Sequence, residues 1–191
     1  MQTNSEDKII DNNEQSIKQT VNCILLGLDN SGKTSIVKRL DGEDLEDIKP
    51  TKGFSFRKFE WESKSIDYTV WDIGGQKLYR DRWQDHLQDK HGVIWVIDSL
   101  DKSRFEESKE ELHRILSQDG ADFQSLLVLA NKQDIKDQQV LSTTDIRDNL
   151  GLDDFYNDKF HWRCMGCSAL EDTGLDDALK WIVSDMNQFI N

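Results

Sequence analysis

The sequence predicts an α/β domain of three layers: a six-stranded, mostly parallel sheet with one antiparallel hairpin strand, covered by helices on both faces. Six short apolar stretches alternate with segments of helical spacing, the pattern such a sheet requires. Directly after the first of them, Gly27-Leu28-Asp29-Asn30-Ser31-Gly32-Lys33-Thr34 fits G-x-x-x-x-G-K-S/T, a glycine-rich pattern that joins a strand to a helix. The other polar motifs also begin where an apolar stretch ends, and open α/β sheets bind ligands at the C-terminal ends of their strands.

Val21-Asn22-Cys23-Ile24-Leu25-Leu26 reads as the first strand and delivers the glycine loop. Gly27 and Gly32 let the backbone turn tightly, so that successive N–H groups and the start of the next helix point at one phosphate chain. Lys33 would reach the β- and γ-phosphates and Thr34 would offer its hydroxyl to magnesium; an ordinary glycine turn is the plainer alternative. Ile36, Val37 and Leu40 lie at helical spacing and Gly42 stops that helix. Pro50 is the only proline and fixes the backbone ahead of Thr51. Thr51 is either part of a turn entering a strand or a switch residue meeting magnesium and a γ-phosphate.

Phe54 to Trp61 and Ile66 to Trp71 flank Glu62-Ser63-Lys64-Ser65 as a hairpin. The second strand ends in Asp72-Ile73-Gly74-Gly75-Gln76, with the aspartate at the strand end. An aspartate there holds magnesium through water, a glycine lets its N–H approach a γ-phosphate, and Gln76 is placed to orient an attacking water. His91 to Asp98 is a buried strand, and Phe105, Leu112, Ile115 and Leu116 mark the core face of the helix after it. Ser125 to Ala130 is another buried strand opening into Asn131-Lys132-Gln133-Asp134. A carboxylate at Asp134 accepts two hydrogen bonds from guanine's N1–H and 2-amino group, which adenine lacks. Phe160 to Cys164 reads as the last strand, the backbone around Ser168-Ala169 would receive guanine's O6, and Leu175 to Phe189 closes the chain as an amphipathic helix. Cys164 and Cys167, with His161 before them, admit a zinc half-site, but no second pair exists and the stretch already has a role. Trp71, Trp95 and Trp181 read as core.

With 191 residues the chain suits one domain, residues 21 to 191, behind a flexible polar extension over residues 1 to 20 in which only Ile9, Ile10 and Ile17 are apolar. No apolar run approaches the roughly 20 residues of a membrane-spanning helix. A net charge of −13 disfavours nucleic acid and anionic membranes as partners, leaving membrane contact weak or indirect. Gln2 in place of glycine excludes N-myristoylation from this start. Three cysteines beside apolar segments and no secretory signal point to a reducing, cytoplasmic setting.

Taken together, Gly-Leu-Asp-Asn-Ser-Gly-Lys-Thr, Pro-Thr-x-Gly-Phe, Trp-Asp-Ile-Gly-Gly-Gln, Asn-Lys-Gln-Asp and Cys-Ser-Ala resemble the Arf family of small GTPases, from about Val21 to Met186. Trp-Asp-x-Gly-Gly-Gln separates the chain from Ras-like proteins. Gly42-Glu43-Asp44 ahead of Pro50-Thr51, with His161-Trp162-Arg163, looks nearest to the Arf-like members linked to tubulin folding and lipidated-cargo release. The resemblance implies a GTPase cycling between GDP and GTP with Mg2+ as cofactor. It implies a nucleotide site of Asp29, Asn30, Ser31, Gly32, Lys33, Thr34, Ser35, Thr51, Gly75, Asn131, Lys132, Asp134, Cys167, Ser168 and Ala169. Thr34, Thr51 and, through water, Asp72 hold the metal, and Gln76 is catalytic. An exchange factor, a GTPase-activating protein and effectors are the implied partners of a monomer, and the hairpin is implied to slide between nucleotide states.

The departures concern the readout surface. Phe54 and Trp71 match two members of the family's aromatic triad, and His86 replaces the third. Lys52, Ser55 and Arg82 also differ, so familiar effectors are expected to bind poorly. Ile48-Lys49 supplies no arginine in cis, so unassisted hydrolysis is expected to be slow, on the order of 10⁻⁴ to 10⁻² per second. The rival reading is a nucleotide-bound scaffold or adaptor that hardly cycles.

Overall fold

The computed structural model describes residues 19–60, 66–118, 122–135, 140–155 and 159–189. Most of the expected N-terminal extension, with Ile9, Ile10 and Ile17, and the turn Glu62-Ser63-Lys64-Ser65 beside Trp61 lie outside the described residues.

β1 (Gln19–Leu26) runs into the glycine loop and α1 (Lys33–Leu40). The strand starts two residues before the expected boundary because Gln19 and Thr20 continue the parallel ladder, opposite Ile66 and Asp67. β2 (Phe54–Glu60) and β3 (Ile66–Ile73) form the antiparallel hairpin, with Phe54 opposite Ile73 and Phe59 opposite Tyr68. β3 runs on through Asp72 to Ile73, so the aspartate stands at the strand end, where the sequence places it. α2 (Lys77–Arg80), β4 (Gly92–Asp98), α3 (Phe105–Leu116) and β5 (Ser125–Asn131) follow, then α4 (Thr143–Leu150), α5 (Leu152–Phe155), β6 (His161–Gly166) and α6 (Leu175–Asn187).

The sheet order is β2-β3-β1-β4-β5-β6, and every pairing except β2 with β3 is parallel. Alternation along each strand divides the core in two. Ile24, Leu26, Val93, Trp95, Leu126 and Val128 pack with Phe105, Leu112, Ile115, Leu116, Ile146 and Leu150 from α3 and α4. Cys23, Leu25, Ile94, Val96, Leu127 and Leu129 pack with Ile36 and Val37 of α1 and with Leu175, Ala178, Leu179, Ile182 and Val183 of α6. Both faces of the central strands are therefore covered. β1 lies between β3 and β4, so the chain winds outward in both directions from it, and the crevice at that reversal is where such sheets hold a ligand. Among the described residues, no helix is long and apolar enough to cross a membrane.

Candidate nucleotide site

The phosphate loop is a backbone cradle. Gly32 caps α1 with φ +96°, a left-handed conformation, and a Cβ there would collide with the Asn131 side-chain amide. The Asn131 amide in turn holds two loops at once: its Nδ2 donates to the Ser31 carbonyl at 2.8 Å, and its Oδ1 accepts from the Ala169 N–H at 3.1 Å. Lys33 is buried and donates to the Gly27 and Leu28 carbonyls at 2.9 and 2.8 Å, which curls its ammonium over the loop. Burial lowers its pKa to about 8, against the attraction of Asp72 and Asp29.

Three oxygen-bearing side chains converge next to that ammonium. Thr34 Oγ1 lies 2.8 Å from Thr51 Oγ1, and the two hydroxyls donate to Asp72 Oδ2 at 2.8 and 3.2 Å. Asp72 is buried, which raises its pKa, and its other oxygen, Oδ1, has no hydrogen-bond partner among the described residues. A buried carboxylate with one orphaned oxygen beside two hydroxyls is a hard-oxygen set of the kind magnesium takes. Asp29, Asn30, Gly32, Lys33, Thr34 and Ser35 line a cleft of about 220 Å³ whose other wall is Ile48, Lys49, Pro50, Thr51, Gly75 and Gln76. Two of the sequence-predicted residues, Ser31 and Asp72, are buried just behind that lining.

The base-reading candidates gather on the adjoining strand ends. Lys132 has φ +69° and pairs with Asp98 at 2.6 Å, which crosses from β5 to β4. Ser168 Oγ donates to Asp134 Oδ1 at 2.6 Å, fixing the carboxylate expected to read guanine. The Cys167 N–H donates to the Ala130 carbonyl and the Gln133 N–H to the Cys167 carbonyl, which ties this loop to the end of β5. Cys164 and Cys167 direct their sulfurs to different partners, the Thr143 carbonyl and Asn131 Oδ1, each at 3.7 Å, on opposite faces of the sheet. His161 pairs instead with Asp185. Among the described residues, no group of three or more His, Cys, Asp or Glu is arranged to hold a metal.

Phe54, Trp71 and His86 also meet. Ring centroids are 5.7 Å apart for Phe54–Trp71 and 5.3 Å for Phe54–His86, so the histidine occupies the third place of the triad. Phe56 joins them at 5.1 Å from Trp71, and Phe54 and Phe56 are about half exposed. Trp71 thus belongs half to this surface and half to the core.

Three arginines escaped the sequence reading. Arg39 on α1 donates to the Ala169 and Leu170 carbonyls, clamping the base loop from the helix that starts at the phosphate loop. Arg80 and Arg104 both hold the Asp29 carboxylate, at 3.2 and 3.1 Å, so that side chain faces its arginines rather than standing free in the cleft. The only trace in the sequence is the i,i+4 pair Glu107 and Glu111, whose shared partner is Arg80.

A phosphate cradle and a base-reading loop on neighbouring strand ends, with an Asn131 bridge between them, place the chain in the class of P-loop GTP-binding proteins. Comparison with known sequences and structures is specific about which. The family model for the ADP-ribosylation factor family matches residues 7–186. The chain is 39% identical over 176 residues to ADP-ribosylation factor-like protein alp41 of Schizosaccharomyces pombe, covering 92% of this chain and 91% of that protein. It is 39% identical over 163 residues to ADP-ribosylation factor-like protein 2 of Arabidopsis thaliana, covering 85% of each. Among solved structures, the Arl6 BBS3 small GTPase of Trypanosoma brucei, with bound nucleotide analogue GppNp, superposes with a TM-score of 0.77 at 25% identity, over 89% of this chain and 99% of that one. The chain belongs to the ADP-ribosylation factor family of small GTPases, and it is an Arf-like GTPase with the P-loop fold.

Proposed function

We propose that this chain is a GTP-dependent switch of the cytoplasm that alternates between GDP and GTP states, hydrolyses GTP slowly unless assisted, and recruits effectors in the GTP state. The observation that carries the reading is the meeting of Thr51 with Thr34 and Asp72, because Thr51 comes from the segment ahead of the hairpin and Thr34 from the phosphate loop. A threonine that joins that cluster in one hairpin register and leaves it in another links the nucleotide to the outer surface. The hairpin pairs Phe54 with Ile73 and Thr51 stands in the cluster, an arrangement that this reading assigns to the triphosphate state.

In this reading the glycine loop binds the phosphate chain through its N–H groups, and Lys33 turns from the Gly27 and Leu28 carbonyls to the β- and γ-phosphates. Thr34, Thr51 and, through water, Asp72 would hold magnesium, which when bound would neutralise charge on the phosphates. Asn131, Lys132, Asp134 and Ala169 hold guanine. The Gln76 side-chain amide orients the attacking water at the open end of the cleft. Among the described residues that line the cleft Lys33 is the buried cation and none is an arginine, and in this reading an activating protein supplies or completes the site. Phe54, Trp71 and His86 form the effector surface, and the output lies in trafficking or cytoskeletal regulation, on the strength of the motif likeness.

Single-turnover hydrolysis with purified protein tests the chemistry. Wild type should turn over within about 10⁻⁴ to 10⁻² per second, and Gln76→Leu should lose hydrolysis while retaining nucleotide. Loss of nucleotide by Gln76→Leu would instead make Gln76 a structural residue. Affinity capture with Gln76→Leu loaded with GTP, against wild type loaded with GDP, tests the switch: the same partners on both forms would favour a scaffold.

A further inference from the structure

Arg80 is 3% exposed, an unusual place for a guanidinium, and each of its three nitrogens is engaged, on three different parts of the chain. Its Nε donates to the Gly75 carbonyl at 2.9 Å. One terminal nitrogen lies 2.7 Å from Glu107 Oε1 and 3.7 Å from Glu111 Oε1 on α3. The other lies 3.2 Å from Asp29 Oδ1 in the phosphate loop. Arg104 holds the same Asp29 from outside, reaching its carboxylate and its carbonyl at 3.1 Å each. The Asp29 N–H then donates to the Gly75 carbonyl at 3.1 Å, so that single carbonyl oxygen is gripped by both the phosphate loop and Arg80. One residue earlier, the Gly74 carbonyl accepts from the Trp83 indole N–H at 3.0 Å.

The peptide unit is planar and trans, so a fixed Gly75 carbonyl also fixes the Gln76 N–H on its opposite side and the backbone direction from which the Gln76 side chain departs. Gln76 itself is extended, with φ −63° and ψ 143°, and Arg80 sits one helical turn after it, at the end of α2. An arginine buys nothing for a core at this position; its planar fork is suited to bridging a carbonyl and several carboxylates at fixed angles, which a lysine ammonium does not reproduce.

We propose that Arg80 is the positioning residue for Gln76: held by Asp29, Glu107 and Glu111, its guanidinium locks the Gly75–Gln76 peptide against the phosphate loop and so aims the Gln76 amide at the attacking water. The inference rests on the reading of Gln76 given above. It also assigns Asp29 a part in hydrolysis through Arg80, not through contact with nucleotide.

The test is a double-mutant cycle of single-turnover GTP hydrolysis on the full chain, with Arg80→Gln, Gln76→Ala and the two combined, alongside GDP affinity. Arg80→Gln should slow hydrolysis at least tenfold, change GDP affinity less than threefold, and slow the Gln76→Ala protein no further. Arg80→Lys should recover part of the rate. An equal slowing by Arg80→Gln in both backgrounds, or GDP affinity falling as much as the rate, would overturn the assignment and leave Arg80 as a structural residue. Should Arg80→Gln fail to fold, Glu107→Gln serves, since it leaves the arginine in place and removes one anchor; it should slow hydrolysis two- to fivefold, and only when Gln76 is present. If Gln76→Ala alone hydrolyses as fast as wild type, the reading of Gln76 fails and the role of Arg80 with it. If Gln76→Ala is slow and Arg80→Gln is not, the assignment of Arg80 alone fails.

Discussion

Gly32 and Asp134 show how single atoms set the site. A methyl group at Gly32 meets the Asn131 amide, and the left-handed backbone there strains any side chain by about 1 to 3 kcal/mol. Because Asn131 joins the Ser31 carbonyl to the Ala169 N–H, displacing it disturbs phosphate and base loops together. Gly32→Ala should therefore purify without nucleotide and melt below wild type, as read by nucleotide content after denaturation and by thermal unfolding. Asp134→Asn should weaken guanine nucleotides by about 2 to 3 kcal/mol, a loss of about 30- to 160-fold, because an amide presents one acceptor and a repelling donor where the carboxylate accepts twice. Competition of GDP against a fluorescent analogue measures it. Residues of this kind were legible beforehand, since each sits at a set offset within a contiguous motif. Arg39, Arg80 and Arg104 were not, because their partners lie on distant segments, as when Arg39 meets Ala169 and Leu170.

Among the elements, α2, α4 and α5 are helices that hydrophobic spacing left unread, and α4 is the longest of them. Its signals are local: Ser142 and Asp145 form a reciprocal capping box and Gly151 ends the helix with φ +65°. Eight residues with only Ile146 and Leu150 buried make a weak periodic pattern, so the helix depends on its cap and on the β6 side of the sheet it packs against. Ser142→Ala should cost about 1 kcal/mol, seen as a lower urea midpoint with an unchanged slope. The strands were easier, because β4 and β5 are buried throughout and read as unbroken apolar runs. β2 is different. Its exposed edge position follows from pairing with β3 alone, and the pairing puts Phe54 and Phe56 on the same face as a surface that alternation by itself does not locate.

For the molecule as a whole, the cleft couples stability to ligand. A ligand at about a hundred times its dissociation constant adds about 2.7 kcal/mol to a folded protein. For a chain of this size that raises the melting temperature by about 5 to 10 °C. GDP with magnesium should produce such a rise, and chelating the magnesium should remove part of it, in a thermal-shift series. The three thiols report the packing independently. Burial pushes Cys23, Cys164 and Cys167 up to about 12, so at pH 8 each carries a thiolate fraction about a thousandfold below that of an exposed cysteine. Alkylation of the native protein should be correspondingly slow at pH 8 and should accelerate about tenfold per pH unit as pH rises toward 12, whereas the unfolded chain labels at all three positions. Rapid native labelling at pH 8 would show that the core opens.

What the sequence alone determined is the class of fold and the chemistry of the site. Strand, glycine loop and helix are adjacent in the chain, and the hydrogen-bonding roles of Lys33, Thr34, Asn131 and Asp134 follow from residue type and offset. The tertiary structure alone decided which of these groups meet. Thr34, Thr51 and Asp72 become neighbours because β1 and β3 pair in parallel, with Leu25 opposite Asp72, and the loop before β2 folds over their ends. The tie from Asp29 to Gly75 and Arg80 likewise exists only once the phosphate loop meets the segment after β3, and α3 adds Glu107 to it. Local motifs encode donors and acceptors; the distances between segments are set by sheet order and by the burial of the two faces, which no single segment carries.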